Sequence, residues 1–203
     1  MDRDGRPLRR SVAGIEALLA CAPDGPDVAR TLAARQASVL AGREFSWTLE
    51  HDSLGRPLLR CGDPAAPAAR VSFSRLGGLL WCAVGPSPLG LDAAEAREFG
   101  PGYPVERVFG AGERRLAALA GLPPGEALAL LWSLKEASAK ALGTGFHRLE
   151  PCDMTTESLR PADGGFEAVV RVPAGTAPGR AERMNGYWLA LALTPGGPEE
   201  RNV

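Results

Sequence analysis

The chain has 203 residues, 45% of them hydrophobic and 23% charged, and carries a formal net charge of −1 at pH 7. That balance describes a soluble globular chain of one large or two small domains, and the near-zero charge supplies no global field for nucleic acid or an anionic membrane, so any polyanion site must be local. Four scattered cysteines without a C-x-x-C pair, and only two histidines, His51 and His147, argue against zinc and redox motifs; reduced thiols in the cytoplasm are expected, and a metal would be held by carboxylates, which suits Mg²⁺.

The charged start, MDRDGRPLRR, has no apolar core after it, so no secretory signal is expected. No apolar run is long enough to span a bilayer. The pattern over 11–22 predicts a helix. A second is predicted over 27–41, where Asp27 can cap and Val28, Leu32, Ala33, Val39 and Leu40 recur at helical spacing. Residues 45–50 alternate as a strand, LGRPLL (54–59) gives a turn and a short strand, and CGDPAAPAA (61–69) reads as a loop. VSFS (71–74) and LLWCAVG (79–85) are strands joined by a hairpin at Leu76-Gly77-Gly78. The breaker cluster GPSP (85–88) is the best internal boundary, dividing 1–88 from 89–203. Beyond it, LGLD (89–92) is a short buried strand ending in an acid, and FGPGYP (99–104) is a loop. Helices are predicted over 105–120 and 124–142, and strands over 166–172 and 187–193. The C-terminal TPGGPEERNV is expected to fray.

Of the 23 basic residues, 21 are Arg. The two lysines, Lys135 and Lys140, both fall in LLWSLKEASAKALGTG (130–145). On a helix Trp132, Glu136 and Lys140 form one stripe, with Lys135 about 100° from Glu136. An isolated Glu–Lys pair of this kind is ordinarily a solvated ion pair worth about 0.3 kcal/mol. The confinement of lysine to this segment, and its GTG ending, point instead to a site.

WSLKEASAKALGTG resembles the W-x-x-K-E-[AS]-x-x-K-x-x-G-x-G signature of Sfp-type 4′-phosphopantetheinyl transferases. GLD (90–92), GRP (55–57), VSFSRLGG (71–78) and DVARTLAAR (27–35) resemble further family segments in the same order. The resemblance implies an α+β fold of two similar halves, each pairing a small antiparallel sheet with a long helix, with coenzyme A in the cleft between them. It implies a monomer that moves the phosphopantetheine arm of CoA to a serine of an apo carrier protein, releasing 3′,5′-ADP. By the same resemblance Asp92 and Glu136 would bind Mg²⁺, and Glu136 would take the serine proton. Lys140 would hold a CoA phosphate, and Lys135 would either do likewise or only shape the local field. Arg56 would stand for the lysine of the family's G-K-P turn near the 3′-phosphate, and Ser74 and Arg30 match other CoA-contacting positions.

Two positions depart from the family pattern. The usual Glu two residues after the Asp is Ala94, with Glu95 following, and the usual Ser-His is Ser74-Arg75. On a strand the third residue on faces the other way, so water rather than Glu95 is expected to complete the metal shell. Arg75 can bind the 3′-phosphate in place of His. These departures keep a second reading open: a catalytically weak or inactive homologue that binds CoA or a carrier protein.

Overall fold

The computed structural model describes residues 7–173 and 175–194. Helix α1 (Val28–Ala41) covers a four-stranded antiparallel sheet, ordered β1-β2-β6-β5, of β1 (Leu8–Val12), β2 (Ile15–Pro23), β5 (Arg70–Leu76) and β6 (Leu79–Gly85). A second antiparallel sheet, ordered β7-β11-β10-β9-β8, contains β7 (Leu89–Ala94), β8 (Thr155–Ala162), β9 (Gly165–Val172), β10 (Gly175–Met184) and β11 (Tyr187–Leu193). Helix α4 (Pro124–Ala141) covers that sheet. A separate hairpin, β3 (Trp47–His51) with β4 (Pro57–Cys61), stands beside the first sheet. The architecture is α+β in four layers: α1, first sheet, second sheet, α4.

Strand parity builds these layers. In β6, Leu80, Cys82 and Val84 face α1, while Trp81 and Ala83 face the second sheet. In β11, Leu189, Leu191 and Leu193 face the first sheet, and Trp188, Ala190 and Ala192 face α4. Both sheets are therefore buried on both faces, which is why LLWCAVG and YWLALAL read as unbroken apolar runs. The sheets meet through one shared core, where each large aliphatic side chain contributes about 1.5–3 kcal/mol. Their edges are stitched by side chains: Ser72 Oγ accepts the Leu91 N–H (2.9 Å) and Ser74 Oγ the Ala93 N–H (3.0 Å). Two serines two apart on β5 thus satisfy two β7 donors that backbone pairing leaves open.

Several expectations are corrected. Residues 11–22 form the β1–β2 hairpin, not a helix. The turn at Ala13 (φ 48°) and Gly14 (φ 80°) has the left-handed pair that a tight hairpin requires, and the apolar run after it fills a strand buried on both faces. Asp27 precedes α1 but makes no side-chain cap; its carboxylate pairs with Arg30. The helix expected over 105–120 breaks at Phe109 into α2 (Val105–Val108) and α3 (Ala111–Leu119). The extended backbone at Phe109 accompanies burial of its ring in the core. Strand β10 has no strand-like sequence. Its Pro178 is tolerated because β11 pairing begins only at Gly179, so no ladder needs the missing N–H on that side. The tail expected to fray lies, from residue 195 on, outside the described residues.

Candidate active site

Parity along β7 sends Leu89, Leu91 and Ala93 into the inter-sheet core and turns Gly90, Asp92 and Ala94 toward α4. A Cβ at Gly90 would overlap the Ala137 carbonyl and the Ala141 amide nitrogen, so only glycine lets strand and helix approach this closely. That approach brings Asp92 level with the Glu136–Lys140 turn of α4. Lys140 Nζ donates to Asp92 Oδ1 (2.7 Å), to the Leu91 carbonyl (3.2 Å) and to the Phe73 carbonyl (3.4 Å), and lies 3.7 Å from Glu136 Oε2. Ser74 Oγ donates to the same Asp92 Oδ1 at 3.1 Å. Burial, then the nearby Asp92 charge, push the Glu136 carboxyl up to about 7, against the pull of Lys140.

A cavity of about 590 Å³ opens on this cluster. Its walls come from the β3–β4 hairpin, β5 and the C-terminal end of α4. Glu136 and Lys140 line it beside Arg56, Arg60, Arg70 and Arg75, and His51 and His147 line it too. The cations outnumber the single carboxylate, although the chain as a whole is nearly neutral. Arg56 is aimed by a turn: Asp52 Oδ1 accepts the Leu54 and Arg56 N–H groups, both at 2.9 Å. These bonds, that of Arg56 foremost, hold the Asp52 carboxyl below its ordinary range. The Arg56 guanidinium then lies over Gly143, where a Cβ would collide with it; Gly143 also takes the left-handed φ of 81° that ends α4. Phe146 lines the cavity and stacks on Trp132 (5.4 Å, 25°), so the tryptophan of the W-x-x-K-E stretch buttresses the wall.

The remaining candidates are placed differently. Arg75 lines the cavity while its Nε pairs with Asp24 at 3.1 Å, an exposed pair that costs little to break. Ser74 is buried and spends its hydroxyl on Ala93 and Asp92. Arg30 is exposed on α1, pairs with Asp27 and does not line the cavity. Lys135 departs furthest from expectation. It is fully buried, and its Nζ donates to Glu113 Oε2 (2.8 Å) and to the carbonyls of Val108 (2.7 Å) and Pro151 (3.0 Å), leaving no donor for a phosphate. Five helical residues separate the lysines by about 140°, which puts them on different faces.

Sequence reasoning missed Glu98 and Tyr103. The Glu98 carboxyl is raised by burial, and the charges of Glu95 and Asp92 add to the shift. Tyr103 is raised by burial, then by Glu136 and Glu98. Each thus feels the charge of one member of the acid pair, Glu98 that of Asp92 and Tyr103 that of Glu136. Tyr103 lay in the segment read as a loop (99–104), and Glu98 in the unassigned stretch just before it. Glu95 pairs with Arg97, and Ala94 is fully buried against α4. Among the described residues no three His, Cys, Asp or Glu side chains group as a metal cluster. The oxygen-only pair Asp92–Glu136, already gathered around one cation, has the chemistry to hold a hard divalent ion with water completing its shell.

No curated protein matches the chain. Among solved structures it is similar to a Thermotoga maritima holo-[acyl-carrier-protein] synthase (AcpS), at 29% identity and a TM-score of 0.39, over 52% of this chain and 61% of that one. A family model described as the 4′-phosphopantetheinyl transferase superfamily matches residues 88–192, which include β7, α4 and the Asp92–Glu136–Lys140 cluster. The chain belongs to the 4′-phosphopantetheinyl transferase superfamily.

Proposed function

We propose that the protein transfers the 4′-phosphopantetheine arm of coenzyme A to a serine hydroxyl of an apo carrier protein and releases 3′,5′-ADP. The observation that carries this reading is the arginine-lined cavity closing on an acid pair and a lysine. CoA brings a 3′-phosphate and a pyrophosphate, and the cavity supplies cations at its walls and at its catalytic end. Arg56, Arg70 and Arg75 would hold phosphates; Arg suits them bidentately. Glu136, with its carboxyl near 7, is matched to taking the serine proton at neutral pH. The serine oxygen then bonds to the phosphorus carrying the pantetheine arm, and the bond from that phosphorus to the bridging oxygen breaks. The electron pair leaves with 3′,5′-ADP, whose new charge Lys140 would neutralise.

Asp92 and Glu136 are the residues that would hold Mg²⁺, which when bound supplies charge neutralisation at the pyrophosphate. All four cysteines are unpaired, which supports a reducing, cytoplasmic setting.

The test is incubation with Mg²⁺, CoA and a panel of apo carrier proteins, read as a phosphopantetheine mass gain on the carrier. A gain that chelation abolishes supports the reading. No gain on any carrier, with CoA still bound, supports a second reading, a CoA-binding homologue without useful catalysis. The fully buried Ala94 at the position where the resembling family carries an acid is what favours that alternative.

A further inference from the structure

Lys140 Nζ is surrounded by four oxygens from three elements: Asp92 Oδ1, Glu136 Oε2, and the carbonyls of Leu91 and Phe73. An ammonium and a divalent cation cannot share this cradle. Both draw on the Asp92 and Glu136 carboxylates, whose charge the ammonium already neutralises, and like charges this close repel strongly in a partly buried site. Yet Lys140 is not locked. Its side chain keeps 32% exposure, its stem is flexible, and it lines the cavity where Arg56, Arg70 and Arg75 would gather phosphates. Lys135 cannot take its place, being fully buried in its own set of acceptors.

We propose that Lys140 is the resident cation of the free protein, plugging the Asp92–Glu136 cradle until an anionic ligand in the cavity draws its ammonium away. This inference rests on the reading of Asp92 and Glu136 as metal holders. It makes metal and CoA binding mutually reinforcing: phosphate attracts the ammonium out of the cradle, the vacated carboxylates accept the metal, and by linkage each ligand tightens the other. Lys140 then does two things in turn, guarding the acid pair when the cavity is empty and meeting the phosphates when it is full. The ordered outcome is nucleotide first, divalent cation second.

The experiment measures Mn²⁺ binding by electron paramagnetic resonance, with no carrier protein present, so that no turnover enters the readout. The unmutated protein should bind Mn²⁺ weakly alone and at least about tenfold more tightly with saturating CoA. Lys140→Met should bind Mn²⁺ about tenfold more tightly than the unmutated protein without CoA, and its gain on adding CoA, which the pyrophosphate charge alone still supplies, should be smaller than that of the unmutated protein. Equal or weaker Mn²⁺ binding by Lys140→Met without CoA overturns the proposal while leaving the metal reading standing. Absence of Mn²⁺ binding by the unmutated protein, with CoA bound, overturns both. A second measurement needs no variant. With only two lysines in the chain, labelling with ¹⁵Nζ-lysine gives two ammonium signals. The Lys140 signal should move on adding CoA alone and stay put in millimolar Mg²⁺ alone, and the Lys135 signal should move in neither. Displacement of the Lys140 signal by Mg²⁺ alone overturns the proposal.

Discussion

Helix α4 carries the chain's two lysines on different faces, and the two surroundings solve opposite problems. Around Lys135 every partner is fixed. Glu113 Oε2 also accepts the Gly110 N–H (2.9 Å), and its Oε1 accepts the Thr156 N–H (2.9 Å), so one buried carboxylate ties α3, the α2–α3 junction, β8 and α4 together. The Lys135 ammonium also lies 5.2 Å from the Phe109 ring centroid. Burial draws the Lys135 pKa down, while Glu113 opposes that shift. Around Lys140 the acids outnumber the base, part of the side chain is exposed, and a cavity lies alongside. A buried ion pair with all its hydrogen bonds made acts as a rivet. A lysine shared by two carboxylates at a cavity wall is a charge waiting for a better partner.

That contrast is broken most severely on the rivet side. Lys135→Met leaves Glu113 as an uncompensated buried carboxylate and should cost about 3–5 kcal/mol in denaturant unfolding. Adding Glu113→Met should return most of that loss, because the desolvated charge leaves with its partner. A double variant no more stable than the single one would show that the α2–α3 junction needs the hydrogen bonds rather than charge balance.

On the open side the expected effect is on rate. Glu136→Gln removes the proposed base while keeping the shape, and transfer to carrier should fall about 10²–10⁴-fold with the thermal midpoint unchanged or higher. Transfer at the unmutated rate would remove Glu136 from the mechanism.

Stability should also follow pH through this group. The folded protein raises the Glu136 carboxyl from its ordinary 4.5 to about 7, so across that window the folded state holds a proton that the unfolded chain has lost. Stability therefore falls as pH rises from about 4.5 through about 7 in chelator, by about 3 kcal/mol. Thermal melts at pH 5 and pH 8 read this directly, and Glu136→Gln should flatten the difference.

The smallest effect sharpens the distinction between a lysine and any cation. Lys140→Arg keeps the charge but replaces a compact ammonium with a planar fork that fits the four-oxygen cradle poorly. Transfer should drop about tenfold with little change in stability. Unchanged transfer would mean that charge alone is required at position 140.

Periodicity and residue type were enough for β6, β11 and α4, because a strand buried on both faces and a long apolar helix advertise themselves. For the site, helical spacing puts Glu136 and Lys140 on one face, whereas Asp92 was singled out by the family resemblance; it lies within β7 rather than at the expected strand end, and β7 parity with Gly90 brings it to α4. The β1–β2 hairpin was not legible, since SVAGIEALLACA is apolar at every spacing and pairing with β6 decided the outcome. Nor was β10, which is a strand because β9 and β11 leave a gap that its backbone fills.

The sequence by itself determined the charged cluster, the helix that bears it and the family it resembles, because those rest on local spacing along one chain. Tertiary structure alone decided what each polar group does. Lys135 and Lys140 are the same residue on the same helix, and only the carboxylates and carbonyls delivered from α2, α3, β5 and β7 make one a rivet and the other a movable charge. Ser74 stitches two sheets and steadies Asp92, Arg30 stands away from the cavity, and Arg56 reaches it, because the free energy of a polar side chain is set by partners distant in sequence.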